Sequence, residues 1–292
     1  MEFSGNIVAL VTPFRNGAVD HEALGRLTDR VIRGGAGGVV PCGTTGESPT
    51  LSHKEHDQVV AGVVEAAEGR VPVIAGTGSN STAEAIRLTK TAEESGASAA
   101  LCVNPYYNRP TQEGLARHFL AIADATRLPV VLYDIPGRSS VNLSIDTLVR
   151  LAEHPKIQAI KEATGNVDRV TAIRSGTNLA VLCGDDALTL PMLALGGQGV
   201  ISVVSNLAPS RMSRLVQAGL DGDFETARQE HETLYPLMRA LFLESNPIPI
   251  KTAMGMLGWI DPELRPPLCP MSPAASAKLE SALAPFREEL AG

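Results

Sequence analysis

The chain has little with which to build a nucleic-acid surface, a zinc knuckle or a membrane span. Only six of its 292 residues are lysine (Lys54, Lys90, Lys156, Lys161, Lys251 and Lys278), and they are scattered singly. The formal net charge is −7 with a pI near 5.4, whereas a nucleic-acid face needs concentrated basic charge. Four cysteines (Cys42, Cys102, Cys183 and Cys269) stand far apart without C-x-x-C spacing, which argues against zinc and against a disulfide framework. Cys102 and Cys183 sit inside apolar runs and read as buried free thiols. No run approaches the roughly 20 apolar residues a membrane span requires. The first residues, MEFSGNIVALVTPF, hold neither a basic stretch nor a long apolar one, so no secretory signal is evident. The expectation is a soluble, cytoplasmic protein with no nucleic-acid or membrane partner.

What is present suits a packed core. Hydrophobic residues make up 44% and charged residues 20%, with a mean hydropathy of +0.06. The length fits one large α/β barrel, or two domains of about 150 residues each. Short β-branched runs recur at Ile7–Val11, Gly38–Pro41, Val71–Ala75, Ala99–Val103, Pro129–Tyr133, Ile157–Lys161, Leu179–Cys183 and Gly199–Val203. Between them lie amphipathic stretches of helical length, such as His53–Glu68, Thr82–Ser95, Gln112–Thr126 and Ser144–Glu153. Strands apolar on both faces and separated by helices call for a parallel sheet with right-handed crossovers. Eight such units predict a (β/α)8 TIM barrel over residues 1–222. A doubly wound sheet is the rival, but the Gly-rich phosphate turn after its first strand is missing. From 223 to 292 the strand signal stops, and the pattern predicts a C-terminal helical appendage, interrupted at Asn246-Pro247-Ile248-Pro249.

In a barrel, chemistry gathers where strands end and βα loops begin. The second strand is followed by Gly43-Thr44-Thr45-Gly46-Glu47-Ser48. Glycines permit a tight turn, and paired hydroxyls beside free amides suit a small carboxylate or phosphate; a plain Gly-Thr turn before a Ser cap fits equally well. No Gly-Lys-Ser/Thr follows, so this is not a P-loop. Two of the four tyrosines fall together in Asn104-Pro105-Tyr106-Tyr107-Asn108-Arg109-Pro110 after the fourth strand, where loop packing or an oligomer contact is the plainer use. The fifth strand ends in Tyr133-Asp134, and Arg138 just beyond can clamp a carboxylate or form a surface ion pair. The sixth, Ile157-Gln158-Ala159-Ile160-Lys161, is the only apolar strand that ends in lysine, the other lysines standing at positions that read as exposed. A lysine amine in an apolar barrel mouth is a nucleophile toward ketones, whereas one that snorkels or pairs with Glu162 is not.

Taken together, these residues resemble the dihydrodipicolinate synthase family of pyruvate-dependent class I aldolases and lyases. The resemblance runs from Leu10-Val11-Thr12-Pro13-Phe14 to Asn246-Pro247-Ile248-Pro249-Ile250-Lys251. Gly43-Thr44-Thr45-Gly46-Glu47 and Ile160-Lys161-Glu162 belong to the wider family pattern. Tyr106-Tyr107-Asn108-Arg109-Pro110, Arg138 after Tyr133, Lys161-Glu162-Ala163-Thr164-Gly165-Asn166 and Gly184-Asp185-Asp186 are more specific to the synthase branch.

The resemblance implies that Lys161 forms a Schiff base with pyruvate, and that the derived enamine attacks L-aspartate 4-semialdehyde to give 4-hydroxy-tetrahydrodipicolinate, the first committed step of the diaminopimelate route to lysine. It implies Tyr133 as acid/base, with Thr44 and Tyr107 completing a proton relay, because a phenol of pKa near 10 needs partners at neutral pH. Thr45 would hold the pyruvate carboxylate, Gly184 and Ile201 would line the pocket, and Arg138 would bind the carboxylate of the semialdehyde. Tyr107 would serve a neighbouring subunit, within a homotetramer built as a dimer of dimers. No metal or organic cofactor is expected. The resemblance also implies an L-lysine feedback site at Ser48, His53, His56, Asn80, Glu84 and Tyr106. His53 and His56, spaced i,i+3, share a helix face whose bland reading is solvation, and a zinc pair there lacks further ligands. Three departures stand out: Asp134 where Asn is usual, Ser139-Ser140 in place of Thr-Gly, and Pro49 where Ala is frequent. Two alternative activities remain at this point: a lyase for N-acetylneuraminate or a 2-keto-3-deoxy sugar acid, and a non-catalytic amino-acid-binding barrel.

Overall fold

The computed structural model describes residues 2–290. Its eight barrel strands are β1 (Gly5–Ala9), β2 (Gly38–Val40), β3 (Ile74–Gly76), β4 (Ala99–Val103), β5 (Val130–Asp134), β6 (Ile157–Glu162), β7 (Ala180–Cys183) and β8 (Gly199–Ser202). All pair in parallel in the order β2-β1-β8-β7-β6-β5-β4-β3. A single bridge, Val39 to Val73, closes the remaining seam, helped by Gly76 N donating to Pro41 O at 2.9 Å. This is the expected (β/α)8 barrel.

Two differences at strand ends have local causes. β1 leaves the ladder before Val11 because Asn206 Oδ1 accepts the Val11 amide at 3.2 Å, and Asn206 Nδ2 binds Ala9 O at 2.8 Å. β3 starts after Val73 because Pro72 brings no amide donor to the ladder. A two-strand hairpin, Phe14–Arg15 with Ala18–Val19, was not anticipated. Its turn is Asn16-Gly17, both at positive φ, which is the turn chemistry a tight hairpin demands.

The crossover helices are α1 (His21–Arg33), α2 (His53–Ala67), α3 (Thr82–Glu94), α4 (Gln112–Asp124), α5 (Ile145–Ala152), α6 (Asp168–Gly176), α7 (Thr189–Ala194) and α8 (Pro209–Leu220). Their starts follow from side-chain caps. Ser52 and Glu55 form a reciprocal capping box on α2, while Ser81, Thr111 and Ser144 cap α3, α4 and α5. After these come α9 (Phe224–Ala240), α10 (Ile248–Met256) and α11 (Pro273–Leu283). The expected interruption lies between α9 and α10, with Asn246 and Pro247 outside both helices, while Ile248 and Pro249 already belong to α10, where a proline in the first turn loses no hydrogen bond. Leu234, Leu237, Ile250, Met254, Leu279 and Leu283 of these helices join the same apolar cluster as the barrel's outer layer. No helix among the described residues is long and apolar enough to cross a membrane.

Alternation along the strands sorts the side chains into two layers. Val131 and Tyr133 of β5, Ala159 of β6, Leu182 of β7 and Ile201 of β8 fill the barrel interior. Leu132 and Ile160 face the helices. Lys161 has the parity of Ala159 and therefore points inward, whereas Asp134 and Glu162 point out. Cys42, Cys102 and Cys183 are buried free thiols and Cys269 is exposed. Burial pushes the Cys102 thiol up to about 11 and Cys183 to about 12, so neither is a nucleophile at neutral pH.

Candidate active site

Lys161 and Tyr133 are register partners at the ends of β6 and β5. Both are buried, and the Lys161 amine lies 4.3 Å from the centroid of the Tyr133 ring. No ion pair or hydrogen bond holds that amine among the described residues. The alternative in which it pairs with Glu162 is excluded, since Glu162 faces the opposite layer. There it binds Arg169 Nε at 2.9 Å and Thr164 N at 2.8 Å. Gly184 makes room for the lysine: a Cβ there would sit 2.6 Å from Ala163 Cβ and 3.1 Å from Lys161 Cε. Ile201 is buried among the same interior residues.

Tyr133, Thr44 and Arg138 line one cavity of about 370 Å³. The turn after β2 is wound on itself, with the amides of Gly46 and Ser48 donating to Gly43 O and that of Glu47 to Thr44 O. The amides of Thr44 and Thr45 find no partner among the described residues, so two donors stand beside two hydroxyls, as a carboxylate requires. Thr45 is buried, and its hydroxyl accepts from Asn246 Nδ2 at 2.9 Å, which leaves its own proton free to donate. The exposed Arg138 donates to Asn246 O at 3.3 Å. Asn246 thus joins Thr45 to Arg138, and its buried Oδ1 has no partner. Sequence reasoning gave Asn246 no role, and the only signal for one was a polar residue opening an otherwise apolar Pro-rich run.

Lys161, Thr45, Gly184 and Ile201 are packed behind this cavity and do not line it, and Tyr107 is not brought to it either. Tyr107 is 91% exposed with φ +68°, an exposed aromatic held in the left-handed region. The expectation that lysines other than Lys161 are exposed fails at Lys251, which is fully buried against Glu47, and at Lys156, which is half-buried. The departures noted in the sequence are accommodated. Ser139 is buried and donates to Val141 O at 2.8 Å, while Ser140 takes the left-handed position, φ +59°, that glycine fills most easily. Pro49 sits in the first turn of a short 3-10 segment, Ser48–Thr50, where it is compatible. Asp134 faces outward, accepting from Asn104 Nδ2 at 2.8 Å, Leu143 N at 3.0 Å and Arg169 Nη2 at 3.0 Å.

The cavity continues past Thr44 to Ser48, His53, His56, Glu84 and Tyr106. Glu84 Oε1 meets His53 Nε2 at 2.8 Å and Oε2 accepts from Ser79, and these two contacts hold its carboxyl below the ordinary range. His56 departs from its neighbour: it is buried and places Nε2 at 2.8 Å from Gly76 O, and burial lowers its pKa. Asn80 does not line the cavity. Its carbonyl accepts from Asn108 Nδ2 at 2.9 Å, tying it to the Tyr106–Tyr107 loop.

A family model described as the dihydrodipicolinate synthetase family matches residues 2–285. A relative from Geotalea daltonii, named 4-hydroxy-tetrahydrodipicolinate synthase, is 52% identical over 287 residues, covering 98% of this chain and 99% of the relative. The solved 4-hydroxy-tetrahydrodipicolinate synthase of Methylacidiphilum fumariolicum SolV superposes with a TM-score of 0.97 at 51% identity, over 99% of this chain and 98% of that one. A DHDPS from Cyanidioschyzon merolae, crystallised with lysine bound, gives a TM-score of 0.93 at 42% identity over 97% of each chain.

Proposed function

Because the chain belongs to the dihydrodipicolinate synthetase family, we propose that its barrel mouth joins pyruvate to L-aspartate 4-semialdehyde with Lys161 as the nucleophile. The chain is an enzyme, a lyase of the diaminopimelate route to lysine. Its relatives' shared name favours this activity over cleavage of a sugar acid or simple amino-acid binding. The observation that carries the residue assignment is the inward, unpaired Lys161 amine over the Tyr133 ring.

The Lys161 amine adds to C2 of pyruvate, and loss of water gives a protonated imine. That imine is the electron sink, so a C3 proton leaves and C3 becomes an enamine carbon nucleophile. The enamine attacks the aldehyde carbon, whose oxygen takes a proton and becomes a hydroxyl. The α-amine of the second substrate then attacks C2, closes the ring and expels Lys161. Tyr133 exchanges the protons, with Thr44 beside it in the cavity. Thr45 and the two free amides hold the pyruvate carboxylate. Tyr107 completes the relay in a neighbouring subunit, which its exposure favours, and the assembly is a dimer of dimers.

Arg138 receives the carboxylate of the semialdehyde. Its guanidinium is exposed, so solvent screens the pair. Arg138→Ala is expected to raise KM for the semialdehyde roughly tenfold, and KM for pyruvate far less. Steady-state kinetics with each substrate varied would measure this; equal rises would mark a structural arginine.

The outer part of the cavity takes L-lysine as a feedback inhibitor. The ionised Glu84 meets its α-ammonium, His53 and His56 orient the far end, and Tyr106 closes over it while adjoining Tyr107. Titration of L-lysine into a coupled assay is expected to give partial, cooperative inhibition, weakened about tenfold or more in Glu84→Ala. Unchanged wild-type activity at millimolar lysine, with no calorimetric binding, would sink this assignment. The activity itself is tested by borohydride reduction with pyruvate, which should add a three-carbon adduct to the Lys161 peptide.

A further inference from the structure

The turn that carries Thr44 and Thr45 ends on a residue whose side chain leaves the cavity and enters the core. Glu47 has φ +53°, an uncommon conformation for a side-chain-bearing residue, and both its carboxylate oxygens are engaged. Oε1 lies 2.6 Å from Lys251 Nζ and Oε2 accepts from Arg265 N at 3.2 Å. The side chains of Lys251 and Glu47 are 0% and 1% exposed. The same Nζ donates to Thr12 O at 3.0 Å, and Thr12 Oγ1 donates to Gly46 O at 2.7 Å. Nζ also sits 4.1 Å from the Phe14 ring centroid, with Arg265 Cζ at 4.3 Å from it. Gly46 is closely surrounded: a Cβ there would meet Cys42 N at 3.1 Å and Leu10 O and Thr12 Oγ1 at 3.2 Å, tighter than ordinary contact.

A buried ion pair contributes little net stability, because desolvation offsets most of the attraction, so its use lies in fixing where things go. Here it ties α10 to the last residue of the turn, while Asn246, five positions before Lys251, is bonded to Thr45. We infer that the Glu47–Lys251 pair is a positioning device, clamping the Thr44–Thr45 turn against the start of α10 in the geometry that receives a keto-acid carboxylate. Neither residue lines the cavity, whereas Thr44 does, so both act through the turn that carries it. The inference rests on the pyruvate reading above for its ligand, but the clamp itself is a property of the free protein.

Three proteins separate a clamp from mere packing: wild type, Lys251→Met, and the double variant Glu47→Gln/Lys251→Met. The single variant leaves a buried carboxylate without its counter-charge and is expected to lose much of its stability. The double variant removes both charges at similar volume, so its melting temperature should return close to that of wild type. The clamp would still be absent, since methionine cannot donate to the side chain at position 47 or to Thr12 O. Exchange of the hydrogen-bonded amides of Gly46, Glu47 and Ser48 should then be about tenfold faster than in wild type, and the pyruvate concentration that half-saturates borohydride inactivation should rise about tenfold. Double-variant protein with wild-type melting, exchange and pyruvate saturation would overturn the inference. If wild type itself acquires no adduct, the pyruvate reading fails, and the exchange measurement alone decides the clamp. Should the double variant not fold, Glu47→Gln keeps an acceptor for Arg265 N and reads the same two quantities. Rises in both would support the clamp, and their absence would refute it.

Discussion

Lys161→Ala is expected to abolish turnover, by roughly 10³-fold or more, while leaving a folded protein. The covalent route begins at this amine, and the two other lysines that are not exposed among the described residues are already engaged. Lys251 is buried and held by Glu47 and Thr12 O. Lys156 stands just before β6, at the far end from the mouth, and its Nζ donates to Ala123 O at 3.0 Å and Thr126 O at 2.5 Å. The fold should survive, since the Lys161 amine makes no ion pair or hydrogen bond and gives up its place over the Tyr133 ring, worth about 0.5 to 2 kcal/mol, together with the packing of its buried stem. Lys161→Arg sharpens the test, because it keeps a long nitrogen-bearing side chain but a guanidinium cannot form the imine. Both variants should resist borohydride labelling with pyruvate, and circular dichroism should report a native fold. An adduct on Lys156 or Lys251, or retained turnover in Lys161→Ala, would overturn the assignment.

The barrel was legible because its strands are apolar on both faces, so each appears as a compact run whatever its neighbours. Strand ends were less legible, since they depend on distant groups: β1 ends where a side chain from Asn206 takes the Val11 amide. The same limit governs the site. Lys161 stood out because it closes an apolar strand, which is a local property; its inward direction depends on the strand's parity, where one register step exchanges the barrel interior for the helices. Lys251 is chemically identical, but its partner lies 204 positions away, and no local pattern reveals it. Asn246 escaped for the same reason, as its contacts with Thr45 and Arg138 span 201 and 108 positions. His53 and His56 share a helix face as their spacing predicts, yet one is exposed and the other buried, because α3 and the end of β3 cover them unequally.

Asp134→Asn should make the protein more stable at pH 8 than wild type, by about 3 kcal/mol, and nearly equal to it at pH 4. Burial pushes the Asp134 carboxyl from its ordinary 3.8 up to about 6, with the Glu162 carboxylate alongside adding to the effect. Three donors favour the anion, but complete desolvation outweighs them. Since the folded pKa is raised, the group's favourable contribution is fully present below the unfolded value and is lost as pH rises through about 6. Asparagine does not titrate, so the variant lacks that loss. Its amide also fits: the buried Asn104 Oδ1 has no partner, and turning the Asn104 side chain offers one donor and one acceptor to the new amide. Arg169 keeps Glu162 in either protein. Asp186 is likewise raised to about 6 by burial, but it is common to both, so the difference between the two proteins isolates Asp134. Urea midpoints at pH 4, 6 and 8 provide the measurement. Parallel curves for variant and wild type would show that Asp134 stays charged throughout, held by Arg169. A gap that opens between pH 4 and 6 would place a proton on the outer face of β5, directly behind the strand end that presents Tyr133.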